Sequence, residues 1–264
     1  MMRGASADAY AAAAAALPGS GDLGAVAQDL FGVADLLRSE PGLRRVATDV
    51  SVPGEAKSAL LRDVLAGKVS DGALEVVTTA VSQRWTATRD LSDAVEQLGV
   101  VAAVRSTGDD ATRLEDELFA VGQLVQGSPE LREALSDPAR SRADKTALVG
   151  GLLAGKVLPA TVALVGQALS GSHRTVNVAL TSYQKVAAEV RNQGVATVRV
   201  ARPLADADRE RLAATLSRTY GRQIHLNVVV DPAVIGGIRV EIGDDVIDGT
   251  VSSRLDDAGR RLAG

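Results

Sequence analysis

Two stretches of this sequence, offset by 88 residues, are copies of one another. Between Leu30 and Val69, roughly sixteen of about forty positions are identical to those between Leu118 and Val157. The segment LAGKV, residues 65–69, recurs intact at residues 153–157. A repeat this long predicts two copies of a whole structural unit rather than a solenoid of short repeats.

Apolar spacing within each copy predicts helices joined by short breaks. The first clear helix spans residues 22–38, where Leu, Val and Leu recur every three or four positions. Pro41 is expected to end it, and Ser51-Val52-Pro53-Gly54-Glu55 to begin the next. Further helices are predicted over 74–84, 90–105, 111–125, 129–135, 143–153, 160–169 and 176–191. Breaks of a few residues favour neighbouring antiparallel helices, and hence compact bundles.

The apolar period changes after Gly194 from that of a helix to that of a strand. Strands are predicted over 195–200, 225–230 and 238–242, with a helix over 206–220 and a closing helix that begins at 248–250 and runs through Leu262. The expected fold is therefore mainly α, with two tandem helical bundles (residues 1–106 and 107–193) followed by a small α+β domain (residues 194–264).

Charge and composition exclude several classes of function. A formal net charge of -4 argues against a protein held on nucleic acid by phosphate neutralisation. The chain has no cysteine, which excludes disulfides and thiolate chemistry. No stretch approaches the about 20 apolar residues that a membrane span needs, so any membrane association is expected to come through partners.

The stretch GGLLAGKV, residues 150–157, resembles a phosphate-binding loop. Such a loop needs a Ser or Thr after its lysine and follows a buried strand, whereas here Val157 follows Lys156 and a helix precedes the glycines. The equivalent stretch in the first copy, RDVLAGKV at 62–69, has neither of the two leading glycines, so the repeat does not preserve the resemblance. A helix C-terminus, with Lys156 near its carbonyl end, is the favoured interpretation.

Other candidate chemical groups are scattered. His173 and His225 lie in different predicted domains without a neighbouring Glu at ligand spacing, so structural roles are favoured. Trp85 is the sole tryptophan and is expected to pack between helices rather than stack on a base.

The acidic and hydroxyl side chains near the C-terminus also predict no reaction centre. The carboxylates at 244, 245 and 248 could bind a cation, but Gly-Asp-Asp and Asp-Gly-Thr are ordinary turn and cap sequences. Ser252 and Ser253 lack the glycines of a nucleophile elbow. The sequence therefore predicts no catalytic residue, no cofactor and no metal site.

A composite pattern near the C-terminus is more specific than any of these motifs. Residues 224–243, IHLNVVVDPAVIGGIRVEIG, combine an apolar strand, an Asp-Pro break, a glycine pair and an alternating strand that ends in Glu-x-Gly. This segment, with DGTVSSRL at 248–255, resembles the C-terminal signature of the delta subunit of F-type ATP synthase, whose mitochondrial counterpart is the oligomycin-sensitivity-conferring protein. The motif positions, which are expected to have structural roles, are Asp231, Gly236, Gly237, Glu241, Gly243, Asp248 and Gly249.

The resemblance implies a non-catalytic stator subunit on the cytoplasmic face of the cell membrane. In that family the helical domain holds the N-terminal segments of the alpha subunits, and the C-terminal domain binds the peripheral-stalk b subunit. This chain departs from the family in having two helical copies, so the resemblance leaves open which copy binds the alpha subunits. Two alternatives remain, namely an enzyme that uses the loop at Gly150 and a helical-repeat adaptor unrelated to ATP synthase.

Overall fold

A computed structural model describes residues 2–170, 172–191, 193–234, 236–243 and 245–250. Contacts divide the chain into two compact units, residues 1–187 and 188–264. The boundary at 106/107 that the repeat predicts lies within the first of these units. The mainly α fold with a small α+β C-terminal part is confirmed.

Helices account for nearly all regular structure in the first unit. They are α1 (Ala5–Ala15), α2 (Leu23–Ser39), α3 (Pro41–Thr48), α4 (Gly54–Leu65), α5 (Asp71–Ser82), α6 (Thr88–Arg105), α7 (Ala111–Gly127), α8 (Pro129–Ser136), α9 (Arg142–Leu153), α10 (Pro159–Ala168) and α11 (Val176–Val190). A short 3-10 turn, Gly108–Asp110, precedes α7.

The repeat is reproduced in the helix boundaries and in local contacts. Helices α2, α3 and α4 begin and end 88 residues before α7, α8 and α9. In each copy a carboxylate on the long helix accepts a backbone N–H just before a later helix. Asp29 on α2 accepts from Ser70, before α5, at 2.7 Å, and Glu117 on α7 accepts from Leu158, before α10, at 2.8 Å. These interactions within each copy connect positions that the repeat superimposes.

Helix α2 ends at Ser39, just before Pro41, as predicted, but the helix that follows it over 41–48 was not predicted. Pro41 begins α3, and the equivalent Pro129 begins α8 as predicted. Proline suits the first helical turn, where its missing N–H has no intrahelical partner. Asp22, the expected first residue of α2, is instead its N-cap, with Oδ1 accepting the Ala25 N–H at 2.9 Å.

Helices α2 and α6 form the centre of the first unit. Leu30, Leu37, Leu91 and Leu98 are fully buried there. Gly99 allows the two helices to approach closely, because a Cβ at this position would lie 2.7 Å from two ring atoms of Phe31. Small residues at a helix contact permit this separation.

A four-stranded sheet and one helix make up the described part of the second unit. The strands are β1 (Gly194–Val200), β2 (Ile224–Val230), β3 (Ile238–Ile242) and β4 (Asp245–Asp248), in the order β2-β1-β3-β4, and α12 (Asp206–Tyr220) connects β1 to the parallel β2. Strand β3 pairs antiparallel with both β1 and β4. Strand β4 was not predicted, and the predicted closing helix lies outside the described residues.

The alternating side chains of β1 show how the sequence forms this core. Ala196, Val198 and Val200 point to one face and are almost fully buried, together with Leu226 on β2 and Val240 on β3. The other face of β1 is partly exposed. This arrangement follows from the period of two in the sequence.

Candidate functional site

A buried polar network lies at the centre of the first unit. Glu96, on α6 and only 5% exposed, accepts hydrogen bonds at Oε1 from Gln167 Nε2 (2.9 Å), Ser172 Oγ (2.7 Å) and Tyr183 Oη (2.8 Å). Arg38 Nη2 on α2 donates to the other oxygen at 2.5 Å and to Asp93 Oδ1 at 3.1 Å. Both carboxylate oxygens therefore have strong donors, which a buried charge requires.

The charges in this network stabilise one another. Burial by itself would raise the pKa of Glu96, but the Arg38 guanidinium and the three hydrogen-bond donors hold it below its ordinary value. Burial and the neighbouring Glu96 carboxylate raise the pKa of the Tyr183 hydroxyl. The pKa of Arg38 is lowered by burial and raised more strongly by Glu96 and Asp93, so that it lies above its ordinary value. The network therefore holds an ionised carboxylate and a neutral phenol.

A groove of about 640 Å³ runs beside this network between α2 and helices α9 and α10. Phe31 and Gly32 line its α2 side, and Val162 and Ala163 line its α10 side. Arg142 on α9 closes one part of it by pairing with Asp35 on α2 and donating to Gln167 Oε1 at 3.2 Å. Its mixed apolar and polar lining suits a side chain or a helix better than a reacting substrate.

A second opening, of about 580 Å³, lies at the N-terminal end of α4. Lys57 lines it and is only 4% exposed, with Nζ donating to the Gln83 carbonyl at 3.4 Å. Burial lowers the pKa of Lys57, which Asp49 partly offsets. Gln83 is the C-cap of α5, so Lys57 also interacts favourably with that helix end.

The stretch at 150–157 has the geometry of a helix end. Gly150 and Gly151 lie inside α9, and Gly155 follows it with φ +69°. Lys156 Nζ donates to the Leu152 carbonyl at 3.0 Å, as Lys68 does to Val64 at 2.8 Å in the first copy. The stretch is therefore the C-terminal end of a helix, as predicted, but Gly150 and Gly151 lie within its last turn and Gly155 is the glycine that follows the C-cap Ala154.

The aromatic and histidine candidates pack within the fold. Trp85 is 4% exposed and its Nε1 donates to the Ala80 carbonyl at 2.8 Å, which confirms its role as a packing residue. His173 lies edge-on to the Tyr183 ring at 5.8 Å. His225 is half-buried on β2. In the part of the chain that the structure describes, no group of three or more acidic or histidine side chains could hold a metal ion.

The C-terminal motif residues lie at the turns and edge of the sheet. Asp231 follows β2, with its N–H on the Val200 carbonyl and its Oδ1 accepting the Ala233 N–H at 2.9 Å. Gly236 and Gly237 both have positive φ, and a Cβ at Gly237 would lie 2.8 Å from the Thr250 Cα. These glycines therefore meet a backbone requirement of the turn before β3.

The remaining motif residues surround β3 and β4. Glu241 Oε1 accepts from Arg239 at 3.1 Å, and Gly243 turns the chain with φ +60°. Asp248 Oδ1 accepts the N–H and hydroxyl of Thr250, which lowers the pKa of the carboxyl. Gly249 donates to the Ile238 carbonyl at 2.9 Å. Of the proposed carboxylate cluster, position 244 is not described, Asp248 serves this turn, and Asp245 accepts from the Tyr220 hydroxyl at 3.3 Å.

Sequence reasoning missed the Glu96 network. Its five principal members come from α2, α6, α10, α11 and the segment before α11, and the other four all lie more than fifty positions from Glu96. The available signal was one acidic residue, Glu96, that lies two positions before the apolar segment LGVVAAV at 98–104. An isolated Glu on a helix is usually solvated, so that signal was weak.

A duplicated helical unit followed by a four-stranded mixed sheet with one crossover helix defines a tandem-bundle protein with an α+β domain. The model of the ATP synthase delta (OSCP) subunit family matches residues 99–262. The chain is 61% identical over 244 residues to the ATP synthase subunit delta of a Nocardioides species, which covers 92% of this chain and 89% of the relative. It belongs to the ATP synthase delta (OSCP) family.

Other relatives match this chain over nearly its full length. The ATP synthase subunit delta of Kineococcus radiotolerans is 51% identical over 92% of this chain and 89% of its own. That of Streptomyces coelicolor is 42% identical over 99% of this chain and 98% of its own. One chain of a cryo-EM structure of the Toxoplasma gondii mitochondrial ATP synthase hexamer matches with 17% identity and a TM-score of 0.35, covering 62% of this chain and 96% of that one. A TM-score this low carries no argument about the fold.

Proposed function

We propose that this chain is a non-catalytic stator subunit of the proton-translocating F-type ATP synthase, which links the catalytic head to the peripheral stalk and resists the rotor's torque. The observation that carries the proposal is the 61% identity over 92% of the chain with an ATP synthase subunit delta. The alternative of an adaptor unrelated to ATP synthase does not hold, because the chain belongs to the delta family.

In this proposal the helical unit binds the N-terminal segments of the alpha subunits. Helical partners are commonly recognised by laying an apolar helix face into a groove. The groove beside α2, with Phe31 and Val162 in its lining, supports such a contact. Exposed apolar side chains on the helices, including Leu124 at 50% and Leu152 at 41%, add possible contact area.

The C-terminal unit is proposed to bind the b subunit. Strand β4 is an edge strand whose Val246 and Ile247 are both about half exposed. Consecutive strand residues point to opposite faces, so apolar surface is available on both sides of this edge. Exposed edges with apolar side chains are favourable sites for another chain to pack.

In this proposal the location of the chain in the cell is set by the subunits that it binds. Among the described residues, no helix is long and apolar enough to cross a membrane. We propose that the chain lies at the cytoplasmic face of the cell membrane through its contacts with the other subunits. The division into residues 1–106, 107–193 and 194–264 stays a prediction. The proposal assigns the two helical parts to the catalytic head and the last part to the peripheral stalk.

Site-specific photocrosslinking in gently solubilised host membranes tests these assignments. A photoreactive amino acid at Ile247 is expected to crosslink to b, and one at Leu124 or Val162 to alpha. Arg202 is an exposed polar position in the C-terminal unit and provides the matched control. Purification of the tagged chain without alpha, beta or b, under conditions that keep the synthase intact, would refute the proposal as a whole.

Crosslinking also separates the two assignments. Recovery of b from positions in the helical unit and of alpha from Ile247 would leave the stator role standing and reverse the orientation. Equal crosslinking at Arg202 and Ile247 would remove the argument from the apolar edge.

A further inference from the structure

Helix α6 is buried on almost every side. The residues of α6 that are buried are Leu91, Ser92, Ala94, Val95, Glu96, Leu98, Gly99, Val100, Val101, Ala102, Ala103 and Val104. A helix at the surface of a bundle buries a single apolar stripe. Burial around the whole circumference means that α6 has neighbours on opposite sides.

Those neighbours belong to different copies of the repeat. In the first copy α6 packs against α1, α2, α3 and α5, and in the second copy it packs against α7 and α10. Shifting α1 by the repeat offset places it on residues 93–103, which lie inside α6. The second copy therefore has no opening helix of its own, and α6 occupies that position. The family match, which begins at Gly99 within α6, agrees with this register.

The polar network joins the copies at the same helix. Glu96 binds Arg38 from the first copy on one oxygen and three donors from the second copy on the other. Arg142 adds a further contact between the copies by pairing with Asp35. The Glu96 network buries charge at the junction, so removing one of its partners would leave the other uncompensated, whereas the Arg142–Asp35 pair is partly exposed.

The junction residues differ from the residues that the repeat preserves. Arg38 corresponds to Gln126, Asp35 to Gln123, and Arg142 to Gly54. By contrast, Arg44 and Arg132 are identical, and each donates to a carbonyl at the end of its own copy's long helix. The repeat thus preserves contacts within a copy, while the contacts between copies come from positions that have diverged.

We propose that α6 is shared, as the last helix of the first copy and the first helix of the second, so that residues 1–187 unfold and carry load as one body rather than as two domains in series. This inference concerns the helical unit alone and does not depend on the proposed partners.

Native-state hydrogen exchange of the full chain across a urea series tests the proposal. The most protected amides of α2 and α5 report on the first copy, and those of α7 and α10 on the second. A shared body predicts that both sets converge on one unfolding transition with the same midpoint and urea dependence. Two transitions with different midpoints would overturn the proposal on the unmodified protein alone.

A matched pair of substitutions provides the second arm. Asp29→Ala removes an acceptor confined to the first copy, and Glu117→Ala removes its counterpart in the second. Asp29→Ala is expected to speed exchange of the most protected amides about fivefold in both copies, which corresponds to the loss of a hydrogen bond worth about 1 kcal/mol. Glu117→Ala also removes the bonds from Arg113 and Thr161, so it is expected to speed exchange more strongly, again in both copies. Faster exchange confined to the substituted copy would refute the shared body. Asp63→Ala, at an exposed position on α4, is the control and should leave exchange unchanged.

Discussion

Substituting Gly99 tests whether close packing of α2 on α6 determines the stability of the helical unit. A Cβ at Gly99 would lie 2.7 Å from Cδ1 and Cε1 of Phe31 and 3.3 Å from the Ala27 carbonyl oxygen. The Phe31 ring is 6% exposed and has little room to move. Gly99→Ala therefore requires the ring to leave its position or the two helices to separate.

The magnitude is a balance of two opposing effects. Overpacking a well-filled core costs about 1–3 kcal/mol. Replacing a helical glycine by alanine gains about 1 kcal/mol. Gly99→Ala is therefore expected to destabilise the protein by about 0–2 kcal/mol, with a fall in Tm of about 2–4 °C for each kcal/mol in a unit of this size.

Gly32→Ala is the matched control. Gly32 lies on α2, and a Cβ there would meet no described atom within 4 Å. This variant should be stabilised by about 1 kcal/mol through helix propensity alone. The difference between the two variants, about 1–3 kcal/mol, isolates the steric cost.

Urea unfolding followed by circular dichroism at 222 nm measures both variants in the full chain. A Phe31→Leu background should reduce the cost of Gly99→Ala, because the shorter side chain leaves space for the new methyl group. If Gly99→Ala is as stabilising as Gly32→Ala, the contact between Phe31 and α6 does not limit packing, and the reasoning is wrong.

Four further outcomes follow from single contacts. The folded pKa of Glu96 lies below its ordinary value, so the ionised carboxylate stabilises the protein fully above its unfolded pKa of about 4.3. This stabilisation is lost as the pH falls through the folded pKa. Glu96→Gln should therefore lose less stability than wild type over that range in an acid titration followed by urea unfolding. The raised pKa of Tyr183 has the opposite sign, so its contribution is present below about pH 10 and is lost at higher pH, and Tyr183→Phe should unfold with a shallower alkaline dependence. Trp85→Phe removes the indole donor to the Ala80 carbonyl, which keeps the Gln83 N–H at 3.2 Å, and should cost about 0.5–1.5 kcal/mol in urea unfolding. Calorimetric titration with ATP should give no saturable binding for either wild type or Lys156→Ala, whereas saturable binding lost on substitution would support a phosphate-binding loop.

Local patterns in the sequence determined most of the secondary structure. Amphipathic spacing located α2 to within one residue at each end, and it located α7 to within two residues. The period of two located β1, β2 and β3 to within a residue. These features depend on residues a few positions apart, which sequence patterns record directly.

Tertiary structure decided what joins those elements. Strand β4 has only four residues, all exposed, and it forms because β3 offers an edge to pair with. Glu96 is indistinguishable in sequence from a solvated helix residue, and its burial depends on donors as distant as Tyr183. The repeat predicted two copies, but the sharing of α6 arises from which helix packs on which. Contacts of that kind depend on residues far apart in the chain, and a local pattern contains no record of them.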